Sequence, residues 1–264
     1  MAVSIEIHKL NKTFSQSDSL SWRKKRVKHD FTALNDLSVV IPGGSFVTIF
    51  GPNGSGKSTL FRLIAGLDEP TSGTISIDGK PVSSARIGFV FQNYRDSMLT
   101  WRTALGNVRL ALEARHIPVA EQDAIARQHL ARVGMEQIAD KPFYSLSGGQ
   151  AQLVAIARAF AYEPDILLMD EPFSALDFQT SMGMMETLSK LWQETGITTV
   201  FISHDIDEAV YLADRVMILT KNPGRVQKIV KVSLKRPRPL SILTNQQFYT
   251  YRSQVLSAFT KGSK

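Results

Sequence analysis

Residues 51–59 read GPNGSGKST and satisfy the spacing G-x-x-x-x-G-K-[ST] with Gly51, Gly56, Lys57 and Ser58. Glycines at that spacing let the backbone wrap closely around phosphate groups, with its N–H donors turned inward. Pro52, Asn53, Gly54, Ser55 and Thr59 complete the loop. Lys57 is expected to reach the β- and γ-phosphates of a nucleoside triphosphate, and the Ser58 hydroxyl to ligate Mg²⁺. A carboxylate must complete the metal site, and DILLMDEP (165–172) supplies Asp170 at the end of an apolar run. Buried there without a partner, that carboxylate would be costly. Glu171 follows at once, so one acid can hold metal while its neighbour acts as general base. In a kinase such a base deprotonates a substrate hydroxyl; in an ATPase it activates water.

A second anion site stands far along the chain. In YSLSGGQAQLVAIARAF (144–160), Ser147, Gly148, Gly149 and Gln150 open an apolar stretch that reads as a helix. A hydroxyl, exposed backbone N–H groups and the positive end of a helix dipole suit an anion. One chain therefore carries two phosphate-type sites.

The surrounding elements are arranged to present them. FVTIF (46–50), IGFVF (87–91), ILLMD (166–170), TTVFIS (198–203) and RVMIL (215–219) read as buried strands between helical stretches. VSIEIHKL (3–10) alternates as a half-buried strand, and GTISIDGKP (73–81) reads as strand and turn. The pattern predicts an α/β fold with a mainly parallel sheet flanked by helices. Residues 94–163 are expected to form a helical lobe inserted into one domain spanning 1–264, with a last helix over 245–260.

Composition sets the outer limits. The chain has 264 residues, of which 43% are hydrophobic and 21% charged, ordinary values for a soluble protein. No apolar run approaches about 18 residues, the length needed to span a bilayer. The N-terminus lacks a signal-peptide pattern, and the absence of cysteine excludes disulfides and thiolate metal sites. A cytoplasmic location is expected. The net charge of +7 is concentrated in WRKKRVKH (22–29) and in the basic C-terminal tail, about 220–264. No acid occurs from Val216 to Lys264, against ten bases. Such a bias suits an anionic partner or a solvated basic face. The stretch 15–30 is expected to be an exposed basic hairpin or loop.

Five motifs in order resemble one family along the whole chain. LSGGQ (146–150), Gln92 after GFVF, ILLMDE before SALD (174–177), and ISHD (202–205) join the phosphate loop. Together they are similar to the ATP-binding cassette (ABC) ATPases, the motors of ABC transporters. The resemblance implies a P-loop fold of the ABC ATPase type with an antiparallel N-terminal β subdomain. It also implies head-to-tail pairing, in which ATP lies between loop 51–59 of one copy and Ser147–Gln150 of the other. By matching position, Gln92 is the switch glutamine beside Mg²⁺ or the attacking water. His204 contacts the γ-phosphate, Asp177 meets the opposite subunit, and Phe14 stacks on adenine, with core packing as the alternative for Phe14. The pattern departs from the family at Leu153 and Ala151, where basic residues are usual, although Arg158 remains.

Within the family, FQNYRDSMLTWRTALGNV (91–108), HDIDEAVYLADRVMIL (204–219) and LKRPR (234–238) resemble the ATPase subunits of nitrate/sulfonate/taurine-type importers, with Thr100 where proline is usual. That implies transmembrane permease subunits, a second copy of the ATPase subunit and, indirectly, a solute-binding protein. The place implied is peripheral, at the cytoplasmic face of the inner membrane, with a small, often anionic solute. Tyr94, Met98 and Leu99 are expected to line a groove for the permease, while Trp101 either joins them or fills the lobe's core. A soluble ABC ATPase acting on nucleic acid is the competing reading, but 264 residues without cysteine leave no room for tandem cassettes or metal clusters. A small-molecule P-loop kinase would explain 51–59 and Asp170 but not 146–150.

Overall fold

The computed structural model describes residues 2–17 and 28–262. Most of the basic run 22–29 therefore lies outside the described residues, including much of the expected hairpin 15–30.

Two sheets organise the chain. In the first, β1 (Ile5–Ser17) lies between β2 (Lys28–Ile41) and β4 (Ser72–Ile77), antiparallel to both, and β5 (Lys80–Pro81) closes the edge. The second holds β3 (Phe46–Phe50), β6 (Ile87–Val90), β7 (Ile166–Asp170), β8 (Thr198–Ile202), β9 (Arg215–Leu219) and β10 (Val226–Lys231). Its order is β10-β9-β3-β8-β7-β6, parallel throughout except for β10. The expected mixed α/β architecture, with an antiparallel N-terminal sheet and a parallel core sheet, is what forms.

The central strands are apolar on both faces because both faces are covered. Phe46, Leu167, Phe201 and Val216 enter one core, with the long helices. Val47, Leu168, Val200 and Met217 enter the other, with the first sheet and α1 (Lys57–Ile64). Successive strand residues point to opposite sides, so each apolar run is divided between the two cores.

Between β6 and β7 the chain forms α2 (Ala104–Ala114), α3 (Val119–Arg132) and α4 (Gly148–Ala161). Pro118 caps the start of α3, where its missing N–H costs nothing. Then α5 (Phe178–Thr195) precedes β8, α6 (Ile206–Leu212) precedes β9, and α7 (Gln246–Gly262) ends the chain. Among the described residues, no helix is long and apolar enough to cross a membrane.

The basic C-terminal segment packs into the fold instead of trailing from it, and the helix expected over 245–260 forms as α7. β10 pairs with β9, and Phe248, Val255 and Ala258 of α7 are buried in the core. Arg238 is buried and donates to the carbonyls of Val210, Tyr211 and Ala213, closing the C-terminal end of α6. Burial pushes its guanidinium down to about 10. Arg236 bonds Asp214 at 3.0 Å and lies over the Trp192 ring, 4.2 Å from its centroid. Arg252 bonds Asp207 of α6 at 2.7 Å. Three of the ten bases thus hold the fold together.

Candidate functional site

Four neighbouring parallel strands, β3, β8, β7 and β6, end at one edge of the sheet. One residue past β3 the phosphate loop begins; Glu171 follows β7 directly, and His204 and Gln92 each stand two residues past β8 and β6. Ligands of open α/β sheets bind outside the carboxyl ends of strands, and this edge gathers the chemistry.

The phosphate loop has the form its glycines predict. Gly56 sits at φ 83°, a left-handed conformation that L side chains rarely adopt, and a Cβ there would stand 2.6 Å from Leu34 Cδ2. The Ser55 hydroxyl is buried with no hydrogen-bond partner. Lys57 is buried, and its Nζ donates to Gly51 O at 2.9 Å and Pro52 O at 3.1 Å. Burial lowers the lysine's pKa, while the Glu171 and Asp170 carboxyls pull it back. A close-approach backbone, an unpaired buried hydroxyl and a cation at the start of α1 fit a polyphosphate.

Asp170 is pushed up to about 6, first by burial and then by neighbouring Glu171, against the opposing charge of Lys57. A partly buried carboxyl resisting its own charge is a place where a cation is welcome. Among the described residues, no group of three acids and histidines forms a metal cage. One carboxylate and a serine suit Mg²⁺, which takes its remaining ligands from phosphates and water.

Glu171 is the meeting point. Its backbone has φ 44°, uncommon for a side chain with a Cβ, and its N–H donates to Ile202 O at 3.0 Å. Gln92 Nε2 donates to Glu171 Oε2 at 3.0 Å, and His204 Nδ1 lies 3.3 Å from the same oxygen. Gln92 and His204, which the sequence sets far apart, converge on one oxygen of Glu171, beside the phosphate loop and Asp170. That cluster can orient a nucleophile and accept its proton.

The second anion site has internal duties as well. Ser147 caps α4: its Oγ accepts from Gln150 N at 3.3 Å, and its own N–H donates to Gln150 Oε1 at 3.1 Å. This capping box explains both residues locally. A Cβ on Gly149 would stand 2.9 Å from Thr180 Cγ2, so glycine lets α4 and α5 start side by side. Asp177 caps α5, accepting from Thr180 N at 3.0 Å and Thr180 Oγ1 at 2.7 Å. Those bonds hold its carboxyl below the usual range. Among the described residues, no hydrogen bond or ion pair joins Ser147–Gln150 to residues 51–59.

The ABC transporter family model matches residues 34–174, from within β2 to just past Glu171. The chain belongs to the ABC transporter family. It is 44% identical over 259 residues to an uncharacterized ABC transporter ATP-binding protein of Methanocaldococcus jannaschii, covering 97% of this chain and 91% of that one. A bicarbonate transport ATP-binding protein, CmpC, of Synechococcus elongatus is 37% identical over 262 residues; the match covers 97% of this chain and 38% of CmpC. The nitrate import ATP-binding protein NrtC of Synechocystis is 39% identical over 232 residues, covering 86% of this chain and 34% of NrtC. Among solved structures, a dimeric ATP-binding cassette in a post-hydrolysis state with ADP and phosphate superposes with TM-score 0.74 and 33% identity, covering 88% of this chain and 100% of that one. The cbiO1 protein of Clostridium perfringens, part of the cbiONQ transporter complex, gives TM-score 0.74 at 27% identity, covering 97% of each chain.

This ABC ATPase is therefore an ATP-binding subunit of the ABC transporter family. Its remaining sequence-predicted residues fall in two places. Phe14 is exposed and pairs in register with equally exposed Phe31, with Lys12 Nζ 4.9 Å from the Phe14 ring centroid. Core packing is not its role. In the stretch after Gln92, Met98 is buried in the core, so it does not line a groove as expected. Leu99 is half-buried and Trp101 is 78% exposed, so the core-filling alternative for Trp101 fails. The Tyr94 side chain lies outside the described residues.

Sequence reasoning missed what fastens this stretch. Arg158 donates to Ser97 O at 2.6 Å and Ser97 Oγ at 2.9 Å. Buried Asn107 accepts from Leu99 N at 2.8 Å and donates to Leu99 O at 3.0 Å. In the sequence, Arg158 is marked only as a basic residue on the signature helix.

Proposed function

We propose that this ABC ATPase drives import of a small, anionic solute of the nitrate, sulfonate or taurine class through separate permease subunits. The convergence of Gln92 and His204 on the Glu171 carboxyl, beside a phosphate loop, carries the reading. Glu171 accepts the proton of the attacking water, His204 and Gln92 hold the water and γ-phosphate in line, and Lys57 neutralises phosphate charge. Ser58, Asp170 and Gln92 would hold Mg²⁺, which when bound supplies further neutralisation of the phosphates. Phe14 offers an exposed aromatic face for adenine.

Two copies would close head to tail, each giving Ser147, Gly148, Gly149 and Gln150 to ATP held by the other, with Asp177 at the contact. The absence of any internal tie between the two half-sites favours that division. A helical lobe spanning 94–163 would carry the permease contact, with half-buried Leu99 and exposed Trp101 on its pinned loop. The relatives named for bicarbonate and nitrate support the solute class. A solute-binding protein outside and a peripheral position on the cytoplasmic face of the inner membrane complete the assembly.

Mixing subunits tests the pairing. Ser147→Asp keeps a capping oxygen on α4 but sets a negative charge against phosphate. Lys57→Ala removes a charge-assisted phosphate contact. Each variant alone should be inactive. In the mixed dimer one composite site carries both defects and the other carries neither, so ATPase activity should reappear. A mixture no more active than its parents would refute the shared site.

A further inference from the structure

The turn between β9 and β10 is built onto the wall of the phosphate loop. It reads TKNPGR, residues 220–225. Thr220 Oγ1 donates to Pro223 O and accepts from Arg225 N, each at 3.0 Å. Gly224 N donates to Ala33 O at 2.9 Å, and Asn35 N donates to Gly224 O at 3.0 Å, fixing the turn on β2. A Cβ on Gly224 would stand 2.2 Å from Ser55 O, so backbone lies directly on backbone. The result is a cation at the rim of the loop. Lys221 Cε lies 3.8 Å from where a Cβ on Gly54 would be, and the side chain is exposed.

Lys57 already serves the loop from its buried side, bonded to Gly51 O and Pro52 O. Lys221 instead faces whatever covers the loop from outside. No acid in residues 216–264 can balance it locally. Among the described residues, the ion pairs leave it unmatched.

We propose that Lys221 forms an ion pair with Asp177 of a second copy of this chain when two copies close around ATP. The proposal rests on the head-to-tail reading above. In that arrangement residues 147–150 of one copy cover loop 51–59 of the other. Asp177 travels with them as one rigid unit: it caps α5 through Thr180, and Thr180 is the residue against which Gly149 of α4 packs. Asp177 is an exposed acid on the covering surface, and Lys221 an exposed base on the covered one. Two-fold symmetry makes two such pairs per dimer, so their contribution appears in closure and not in the isolated subunit.

A double-mutant cycle in a Glu171→Gln background decides it, with dimerisation followed by analytical ultracentrifugation in Mg-ATP. Lys221→Met removes one charge, and Asp177→Asn removes the other while keeping a good helix cap. Each single change should weaken dimerisation on the order of ten-fold, the yield of two exposed pairs. The double variant should be no weaker than either single, and the differences should shrink at about 1 M salt. ATP affinity of the dilute monomer should stay unchanged. Additive effects, or unaltered dimerisation in Lys221→Met, would overturn the pair and leave head-to-tail closure standing. Weakened ATP binding by the Lys221→Met monomer would overturn it too, by placing Lys221 on the nucleotide. A Glu171→Gln background that never dimerises would overturn both readings.

Discussion

Glu171→Gln replaces one carboxylate oxygen by an amide nitrogen and leaves the shape of the side chain. In the wild type, Oε2 accepts from Gln92 Nε2 at 3.0 Å and faces His204 Nδ1 at 3.3 Å. The amide keeps one oxygen for one of these partners, and the backbone at φ 44° is no harder for Gln than for Glu. Folding should therefore change by about 1 kcal/mol or less, the range of one ordinary hydrogen bond. Lys57 and its carbonyl partners are untouched. Removing the Glu171 charge also removes the second cause that raises Asp170, leaving burial alone. Asp170 then ionises more readily, so metal and ATP binding should not weaken at pH 7. What disappears is proton acceptance, worth roughly 10²–10⁴ in rate, or about 3–5 kcal/mol of activation free energy. Phosphate release under single turnover, beside equilibrium ATP binding, separates the two. Turnover within about ten-fold of wild type, with the fold intact, would refute Glu171 as the base.

Two further changes test other parts of the molecule. His129 is buried in α3, and burial, then the nearby Arg132 charge, pushes it down to about 4. Its neutral form is the folded one, so its stabilisation is complete above about pH 6.5 and is lost as pH falls toward 4, on the order of 3 kcal/mol. Denaturant unfolding of wild type and His129→Gln should show the wild type losing more stability over that window; parallel pH profiles would refute this. Trp101→Asp should leave ATP binding and thermal stability nearly unchanged, because the ring is 78% exposed. Copurification with permease subunits should fall, typically by more than ten-fold for loss of an aromatic anchor; undiminished assembly would refute the docking role.

Much of the site was legible because it is local. GPNGSGKST needs only its own glycines and the strand and helix on either side to form a phosphate loop, and Ser147 with Gln150 closes a capping box within one helical turn. Apolar runs between amphipathic stretches likewise dictated a covered, parallel sheet. Order along the chain named Gln92, Glu171 and His204, but it could not bring them together. The strand order β3-β8-β7-β6 did that, by ending all four strands at one edge.

Burial was the part that sequence could not decide. Met98 and Trp101 stand three positions apart in the same apolar segment, yet one enters the core and the other stays in solvent. Asn107, on the adjoining α2, and Arg158, which only the fold brings near from α4, pin the loop between them. Arg236 and Arg238 read as part of a basic surface, but carbonyls at the end of α6 and the Trp192 ring drew them inward. Lys221 has the same composition signal and remains outside, at the rim of the phosphate loop. A residue's type fixes what it can bond, and its distant neighbours fix whether it bonds protein, water or a second molecule.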